Sequence, residues 1–227
     1  MPSEVRARRD PRAAARTLAH PWVIVVVAAI GLVTTTAAAR RRPLPAFEID
    51  VNRAINDAPA WVAHTLWPVM QLGTLWAPLV IAGLIAWWGK DRLLALCLVV
   101  ATLLTWTSVR VIKHAVDRGR PPAFLDDVVV RDGLAKGLGF PSGHSAMAAM
   151  TAIVCMALVP RRHRWILVAV AAAVGLARIV HGVHLPADVV GGWSYGVLVG
   201  GATLAVYDHI RAGWARRGAQ ADPGSAT

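Results

Sequence analysis

The sequence predicts an all-α membrane protein, a polytopic bundle of six transmembrane helices with a short interfacial helical segment after the first span. Of its 227 residues, 56% are hydrophobic and only 16% are charged, which is too apolar for an ordinary water-soluble domain. Three uncharged stretches approach the roughly 20 residues needed to cross a bilayer. They are residues 22–39, 93–109 and 189–206. A soluble helical core would rarely contain three stretches of this length.

Charges and prolines interrupt the apolar stretches and so set the expected order of elements. Residues 1–20 form a basic arm that is expected to be cytoplasmic, and residues 21–210 form the membrane domain. The expected spans are about 21–39, 73–89, 92–117, 143–160, 164–182 and 186–207. Residues 211–227 are polar and are expected to be a disordered cytoplasmic tail.

The start of the chain has two interpretations. Residues 37–39 are all alanine and imitate the cleavage site of a signal peptide. A retained helix over residues 21–39 is favoured, because the apolar run is longer than a usual signal-peptide core and Arg40-Arg41-Arg42 follows it directly. Residues 46–72 alternate between apolar and polar up to Asp57, which suggests an amphipathic segment in the membrane interface followed by a partly inserted helix.

The charge distribution orients the predicted bundle. The net charge is +11, but the Lys and Arg residues lie mainly at the ends of apolar stretches, and no nucleic-acid motif accompanies them. With the N-terminus inside, both termini and the connections at 90–92 and 161–164 form a basic cytoplasmic side. Arg40-Arg41-Arg42 violates this rule locally. We therefore expect a multi-pass cell-membrane protein with cytoplasmic termini, whose remaining polar clusters share the outer face.

Three polar clusters adjoin the apolar stretches, where buried cations and imidazoles are costly and usually functional. The first is Lys113 with Arg120-Pro121. On its own, this cluster is better explained as two cations that extend from a helix end toward water. Arg110 and Arg118 are expected to do only that.

The second cluster is Pro141-Ser142-Gly143-His144, which directly precedes an apolar helical stretch. Ser142 is a natural N-cap, and the free backbone amides of the first helical turn form an anion site. Gly143 would let an oxyanion approach the backbone, and His144 lies in the same turn. A capped helix start with an interfacial histidine explains the same residues equally well.

The third cluster is Arg178-x5-His184-x3-Asp188. Asp188 falls in the first turn of the sixth span and can accept a hydrogen bond from one ring nitrogen of His184. The opposite nitrogen then keeps an exposed lone pair, as an activated nucleophile requires. A satisfied interfacial His–Asp pair is the alternative, and His181 is interpreted as structural.

Together the three clusters resemble the three-part motif of the type 2 phosphatidic acid phosphatase family. That family comprises membrane lipid phosphatases related to bacterial acid phosphatases and vanadium haloperoxidases. The resemblance includes the order of the motifs and all their internal spacings, and it covers residues 113–188. One position departs from the family, which usually has serine where this chain has Ala177, so one hydroxyl contact to the substrate is missing.

The resemblance implies a role for each motif residue. Lys113, Arg120 and Arg178 would hold the phosphate oxygens, with Ser142 and the backbone amide of Gly143 adding hydrogen bonds. His184 would attack phosphorus to form a phosphohistidine, with Asp188 orienting it. His144 would protonate the leaving oxygen and then activate water. Three cations can neutralise a phosphoryl group, and no carboxylate cluster resembles a two-metal site, so neither a metal nor another cofactor is expected.

The expected substrate is an amphiphilic phosphate or diphosphate at headgroup depth, and a prenyl diphosphate such as undecaprenyl diphosphate is favoured over phosphatidic acid or phosphatidylglycerol phosphate. The partners are therefore the lipid substrate and the membrane, without nucleic acid, and the sequence leaves the oligomeric state open. Three rival functions are a lipid headgroup transferase with the same intermediate, a vanadate-dependent haloperoxidase, and a non-enzymatic lipid-binding or transport protein. The last is disfavoured because both histidines and all three cations of the motif are intact.

Overall fold

The computed structural model describes residues 21–89, 91–133 and 135–221, and over these ranges the predicted all-α class is confirmed. No strand occurs in the described parts of the chain, apart from an isolated bridge between Gly119 and Leu138. The helices are α1 (Pro21–Ala39), α2 (Ala46–Asn56), α3 (Ala60–Met70), α4 (Trp76–Leu84), α5 (Arg92–Val116), α6 (Gly143–Cys155), α7 (Arg164–Val180) and α8 (Pro186–Ala221). The predicted basic arm, residues 1–20, lies outside the described residues.

Several of these helices are long and apolar enough to cross a bilayer. By length and composition, three described helical stretches qualify, namely Arg92–Val116, Arg161–Val180 and Pro186–Arg217. Ala60–Gly73 and Trp76–Gly89 qualify only as a pair that bends by 63°. Two further apolar helical stretches are shorter, with at most 17 residues, namely Val23–Ala39 in α1 and Gly143–Cys155 in α6. The chain is thus a membrane protein, while the count of six spans stays a prediction.

Helix α6 is the central helix of the bundle, and every residue from Ser145 to Val154 is buried. Its small side chains allow α8 to approach closely through three glycines spaced four residues apart, Gly192, Gly196 and Gly200. A Cβ at Gly200 would lie 2.8 Å from Cβ of Ile153. Close contact of this kind is the usual way in which membrane helices associate. It fixes the N-terminal ends of α6 and α8 beside each other.

Helix α2 turns its polar face inward. Glu48, Asn52 and Asn56 are buried at a spacing of four residues, whereas Phe47 is 77% exposed. The helical segment predicted after the first span is therefore confirmed. Its orientation follows from its neighbours, since Asn56 binds the backbone oxygens of Ile179 and Val180 at the end of α7, at 3.3 and 3.1 Å.

The polar connection between α5 and α6, residues 117–142, is held against α2 and the end of α7. The backbone amide of Val129 donates to Oδ1 of Asn56 at 2.8 Å, and Nδ2 of Asn56 returns a bond of 3.0 Å to the Val129 oxygen. Arg131 donates to the backbone oxygens of Asn56 at 2.8 Å and Val180 at 2.5 Å. The connection is thereby positioned over the ends of three helices.

Helix α8 extends further than the sequence predicts. Its end was expected near residue 207 with a disordered tail from 211, but the helix continues to Ala221, so the expectation of disorder over 211–221 is wrong. Asp91, which caps α5, accepts hydrogen bonds from Tyr207 at 2.6 Å and Arg211 at 3.1 Å. These bonds and the alanine- and arginine-rich sequence favour continued helix. Residues 222–227 lie outside the described residues.

Candidate active site

His184 lies in the short connection between α7 and α8 and is only 2% exposed. Its Nδ1 is 3.4 Å from Oδ2 of Asp188, which is in the first turn of α8. The same Oδ2 accepts the backbone amide of Leu185 at 3.0 Å. The predicted reach of Asp188 back to His184 is thus present, at a separation longer than the usual 2.7–3.2 Å or so. This arrangement leaves Nε2 of His184 as the nitrogen free for chemistry.

A glycine makes the turn that positions His184. Gly182 has φ of +70°, and a Cβ there would collide with the backbone oxygen of Val129. Residues with a side chain rarely adopt this conformation, so the turn needs glycine on both grounds. The His181 ring beside it has Nδ1 2.7 Å from the oxygen of Ala177, which agrees with a structural role for that histidine.

Ser142 caps α6 as predicted. Its Oγ accepts from the backbone amide of Ser145 at 3.5 Å and from the Ser145 hydroxyl at 3.0 Å. Next to it, the space beside Gly143 is open, since a Cβ there would meet only Val109, at 3.7 Å. An open first turn with free backbone amides is suited to binding an anion.

The three predicted cations are Lys113, Arg120 and Arg178, and we call them the cationic cradle. Lys113 is in the last turn of α5 and donates to the backbone oxygens of Leu138 at 2.8 Å and Gly139 at 2.9 Å. Arg120 donates to the Val183 oxygen at 3.4 Å. The bonds of Lys113 hold it against the connection that precedes α6, and the bond of Arg120 holds it beside the residue that precedes His184.

Arg178 is the most enclosed member of the cradle, with 3% exposure. Its Nη1 lies 3.2 Å from Oδ2 of Asp132 and 3.1 Å from the sulfur of Met70. The Nε atoms of Arg120 and Arg178 are buried and have no hydrogen-bond partner, and the same is true of Nε of the neighbouring Arg118. Buried donors without partners are rare in proteins and here are consistent with a site for an anion.

The electrostatics around His184 indicate that both histidines and the cradle lie close together. The pKa of His184 is well below its ordinary value of 6.5, first because the ring is buried and then because Lys113, Arg178, Arg120 and His144 lie nearby. Burial also lowers the pKa of Arg120. His184 is therefore neutral at ordinary pH, as a nucleophile must be.

The sequence prediction for Arg118 is wrong. It was expected to extend toward water, but it is completely buried, with Nη1 2.9 Å from Oδ1 of Asp188 and Nη2 2.6 Å from Oε2 of Glu48. The reason is the left-handed conformation of Asp117, with φ of 52°, at the end of α5. Arg110, in contrast, is exposed and stacks 3.6 Å from the Trp106 ring, as a surface cation would.

Sequence reasoning also missed Glu48, whose other oxygen, Oε1, accepts the backbone amide of Ala187 at 3.0 Å. A signal for it existed in the polar residues Glu48, Asn52 and Asn56, which recur at the spacing of one helix face. When a helix covers a polar site, a stripe of polar residues of this kind lies on the buried face of that helix.

Comparison with known proteins places this site in a family. The profile of the PAP2 superfamily matches residues 93–211, which is more than half of the chain and includes all three motifs. The chain belongs to the PAP2 superfamily. The resemblance to the type 2 phosphatidic acid phosphatases is thereby confirmed.

Two curated relatives have phosphatase names. The chain is 28% identical over 123 residues to an undecaprenyl-diphosphatase of Sulfolobus acidocaldarius, covering 54% of this chain and 58% of that protein. It is 33% identical over 100 residues to a lipid A 1-phosphatase of Rhizobium etli, covering 42% of this chain and 43% of that protein. The chain thus matches about half the length of these relatives.

Two solved structures share the fold. The structure of Aquifex aeolicus LpxE is 27% identical with a TM-score of 0.66, covering 71% of this chain and 96% of that chain. The structure of a transmembrane PAP2-type phosphatidylglycerolphosphate phosphatase from Bacillus subtilis is 23% identical with a TM-score of 0.69, covering 82% and 96%. This PAP2 chain therefore has the helical arrangement of known membrane members.

The described residues were also compared with the requirements of a metal-binding site. Among residues 21–89, 91–133 and 135–221, no group of three or more His, Cys, Asp or Glu side chains is arranged to hold a metal ion. The chemistry available at the site is that of two imidazoles, three cations, a hydroxyl and the amides of a helix start.

Proposed function

We propose that this chain is a membrane lipid phosphatase that hydrolyses a phosphomonoester or diphosphate through a phosphohistidine. The observation that carries the proposal is the position of His184, which has Asp188 at one ring nitrogen and the cationic cradle close by. A neutral imidazole beside several cations is suited to attack a bound phosphoryl group. Phosphoryl transfer mainly requires positioning of the reactants and neutralisation of charge, and the cradle supplies both.

In the first step, Nε2 of His184 attacks phosphorus while the bond from phosphorus to the leaving oxygen breaks. His144, in the first turn of α6, gives its proton to that oxygen. In the second step, water attacks the phosphohistidine, the phosphorus–nitrogen bond breaks, and His144 takes a proton from the water. The two steps return both imidazoles to their initial state.

The cradle and the start of α6 would bind the nonbridging oxygens of the phosphoryl group. Arg120 and Arg178 each have a buried Nε without a partner, and the space beside Gly143 is open. A bound phosphate would satisfy these donors and lie at the positive end of α6. Ser142, which caps the helix, is close enough to the same amides to add a hydroxyl contact.

The depth of the site supports a lipid substrate. Helix α6 has only 13 residues and is therefore about 20 Å long, whereas the hydrocarbon core is about 30 Å thick. A site at its N-terminal end is thus within reach of a headgroup whose chain remains in the bilayer. A prenyl diphosphate such as undecaprenyl diphosphate is favoured, in agreement with the name of one relative.

The central experiment measures phosphate release from a panel of lipid phosphates in detergent with EDTA. The panel contains undecaprenyl diphosphate, phosphatidic acid and phosphatidylglycerol phosphate. Wild-type protein should release phosphate without added metal, whereas His184→Ala and His144→Ala should be nearly inactive. Release that requires magnesium, or that survives the loss of His184, contradicts the proposed mechanism.

His181→Ala is the matched control, since this buried histidine is bonded to the Ala177 oxygen. It should keep most of its activity per folded molecule. Adding glycerol and analysing the phosphate-containing products separates hydrolysis from transfer, because water attacking the phosphohistidine releases inorganic phosphate, whereas glycerol attacking it forms glycerol phosphate.

A further inference from the structure

We propose that Arg118 and Glu48 are positioning residues that hold Asp188 in the orientation His184 needs. This inference rests on the proposed function, because it concerns the same nucleophile. Arg118, Glu48 and Asp188 form a buried triad in which one guanidinium bridges two carboxylates, at 2.9 Å to Asp188 and 2.6 Å to Glu48. We call these three residues the support triad.

Within the support triad, the two oxygens of Asp188 have separate partners. Oδ1 binds Arg118, while Oδ2 accepts the Leu185 amide and faces Nδ1 of His184. Rotation of the carboxylate would break the bond to Arg118 or the bond to Leu185. Arg118 therefore fixes which oxygen faces the imidazole, and with it the tautomer that leaves Nε2 unprotonated.

Glu48 extends the arrangement from α8 to α2. Its Oε2 binds Arg118, and its Oε1 accepts the amide of Ala187, one residue before Asp188. A single side chain thus holds both the guanidinium and the backbone that carries Asp188. Arg118 and Asp188 are fully buried and Glu48 is 5% exposed, so water does not compete for these bonds.

Arg118 differs from the cationic cradle in what it contacts. Its Nε is buried without a partner, like those of Arg120 and Arg178, but both of its Nη atoms bind carboxylates and it has no exposed surface. Its direct contact is therefore with Asp188 and not with a phosphate. The support triad has two negative charges and one positive charge. Its net negative charge lies behind His184 and favours the imidazolium-like charge that develops when the ring attacks phosphorus.

The test measures kcat and KM for Arg118→Met, Arg118→Lys and Glu48→Gln, using the lipid phosphate that wild type hydrolyses best. Arg118→Met should lower kcat roughly 100-fold with KM changed less than about threefold, the size expected for loss of a group that orients a reacting histidine. Arg118→Lys should recover part of kcat, because it keeps the charge but cannot bind both carboxylates at once. Glu48→Gln should lower kcat roughly tenfold.

A purely structural triad predicts a different result. Its loss would lower the yield and the melting temperature in detergent, while the folded fraction kept normal kcat, and this outcome would overturn the inference. If Arg118→Met does not fold, the nearly isosteric Glu48→Gln decides alone, and an unchanged kcat in that variant also overturns it. Arg53→Gln is the matched control on α2, since Arg53 is half exposed and pairs with Asp127 away from the triad.

The double variant Glu48→Gln with Arg118→Met tests whether the triad acts as a unit. Loss of Arg118 alone leaves two buried carboxylates without their cation, and removing the charge of Glu48 relieves one of them. The double variant should therefore be at least as active as Arg118→Met, whereas independent effects would multiply and make it about tenfold worse. Failure of the proposed function appears separately, as a wild type without activity or a His184→Ala variant that keeps it.

Discussion

The backbone amide of Ser142 donates a hydrogen bond of 2.8 Å to the backbone oxygen of Asp188. This bond joins the cap of α6 to the first turn of α8, and so joins the second motif to the third. The contact is close because Gly192 of α8 lies directly against the Ser142 oxygen. The distance between the anion site and the partner of His184 is therefore set by backbone atoms, which are held more rigidly than side chains.

The pH at which kcat/KM falls on the acidic side of the profile should be unusually low. Burial and the nearby cations lower the pKa of His184 well below 6.5, so the ring stays neutral and nucleophilic until the pH falls through that lowered value. The acidic limb of kcat/KM in wild type should therefore lie below pH 6.5. Lys113→Met removes one of the positive charges and should shift this limb to higher pH.

Profiles of wild type and Lys113→Met are compared with one substrate, so that ionisation of the substrate affects both equally. Arg110→Met is the control, because Arg110 is exposed and stacks on Trp106. A limb that stays in place in Lys113→Met, or that moves equally in Arg110→Met, contradicts this assignment.

Asp132 should weaken substrate binding by competing for the cradle. Its carboxylate lies 3.2 Å from Nη1 of Arg178, and its side chain is 25% exposed. A phosphate that binds Arg178 must share or displace this contact. Asp132→Asn should therefore lower KM about two- to fivefold with kcat little changed, the range expected for a partly exposed ion pair. A higher KM would mean that Asp132 orients Arg178 for the substrate.

The sequence was sufficient for several helices, because an apolar stretch and its ends are local patterns. The apolar stretches predicted α5 and α7 within a few residues, and Pro186 correctly marked the start of α8. Spacing within the motifs identified residues that share a short segment, such as His184 and Asp188. Asp188 lies in the first turn of α8 and His184 only two residues before that helix begins, so their contact depends on one short segment.

The support triad could not be predicted in this way. Arg118 and Glu48 are 70 residues apart. The polar stripe of α2 marks the face that carries Glu48, but no local pattern identifies Arg118 as its partner. Their burial depends on the left-handed turn at Asp117 and on the inward polar face of α2, which are consequences of packing. Contacts between residues so far apart in sequence depend on the tertiary fold, and they leave no recognisable pattern in a single sequence.

Gly182→Ala should reduce both stability and activity. The glycine has φ of +70°, and an added Cβ would collide with the Val129 oxygen, so the turn before His184 must shift. Backbone strain of this kind costs about 1–3 kcal/mol. The variant should melt earlier in detergent and show a lower kcat/KM. Gly133→Ala is the control, because no atom lies within 4 Å of its added Cβ.

The orientation of the bundle can be tested with two cysteines at opposite ends of α6. Lys136 is exposed in the connection that precedes α6, and Arg162 is exposed in the turn that follows it. After Cys97 and Cys155 are replaced by alanine, Lys136→Cys should react with a membrane-impermeant maleimide in intact cells. Arg162→Cys should react only after permeabilisation, because the basic turn at 161–164 is predicted to be cytoplasmic.

The reverse labelling pattern would place the candidate site on the cytoplasmic side. It would also contradict the positive-inside assignment, since the basic turn at 161–164 and the site lie at opposite ends of α6. Labelling of both cysteines in intact cells would indicate a leaky preparation, which a cytoplasmic marker protein detects. The expected pattern would make the site accessible from the outer side of the membrane, where the proposed lipid substrate would present its phosphate.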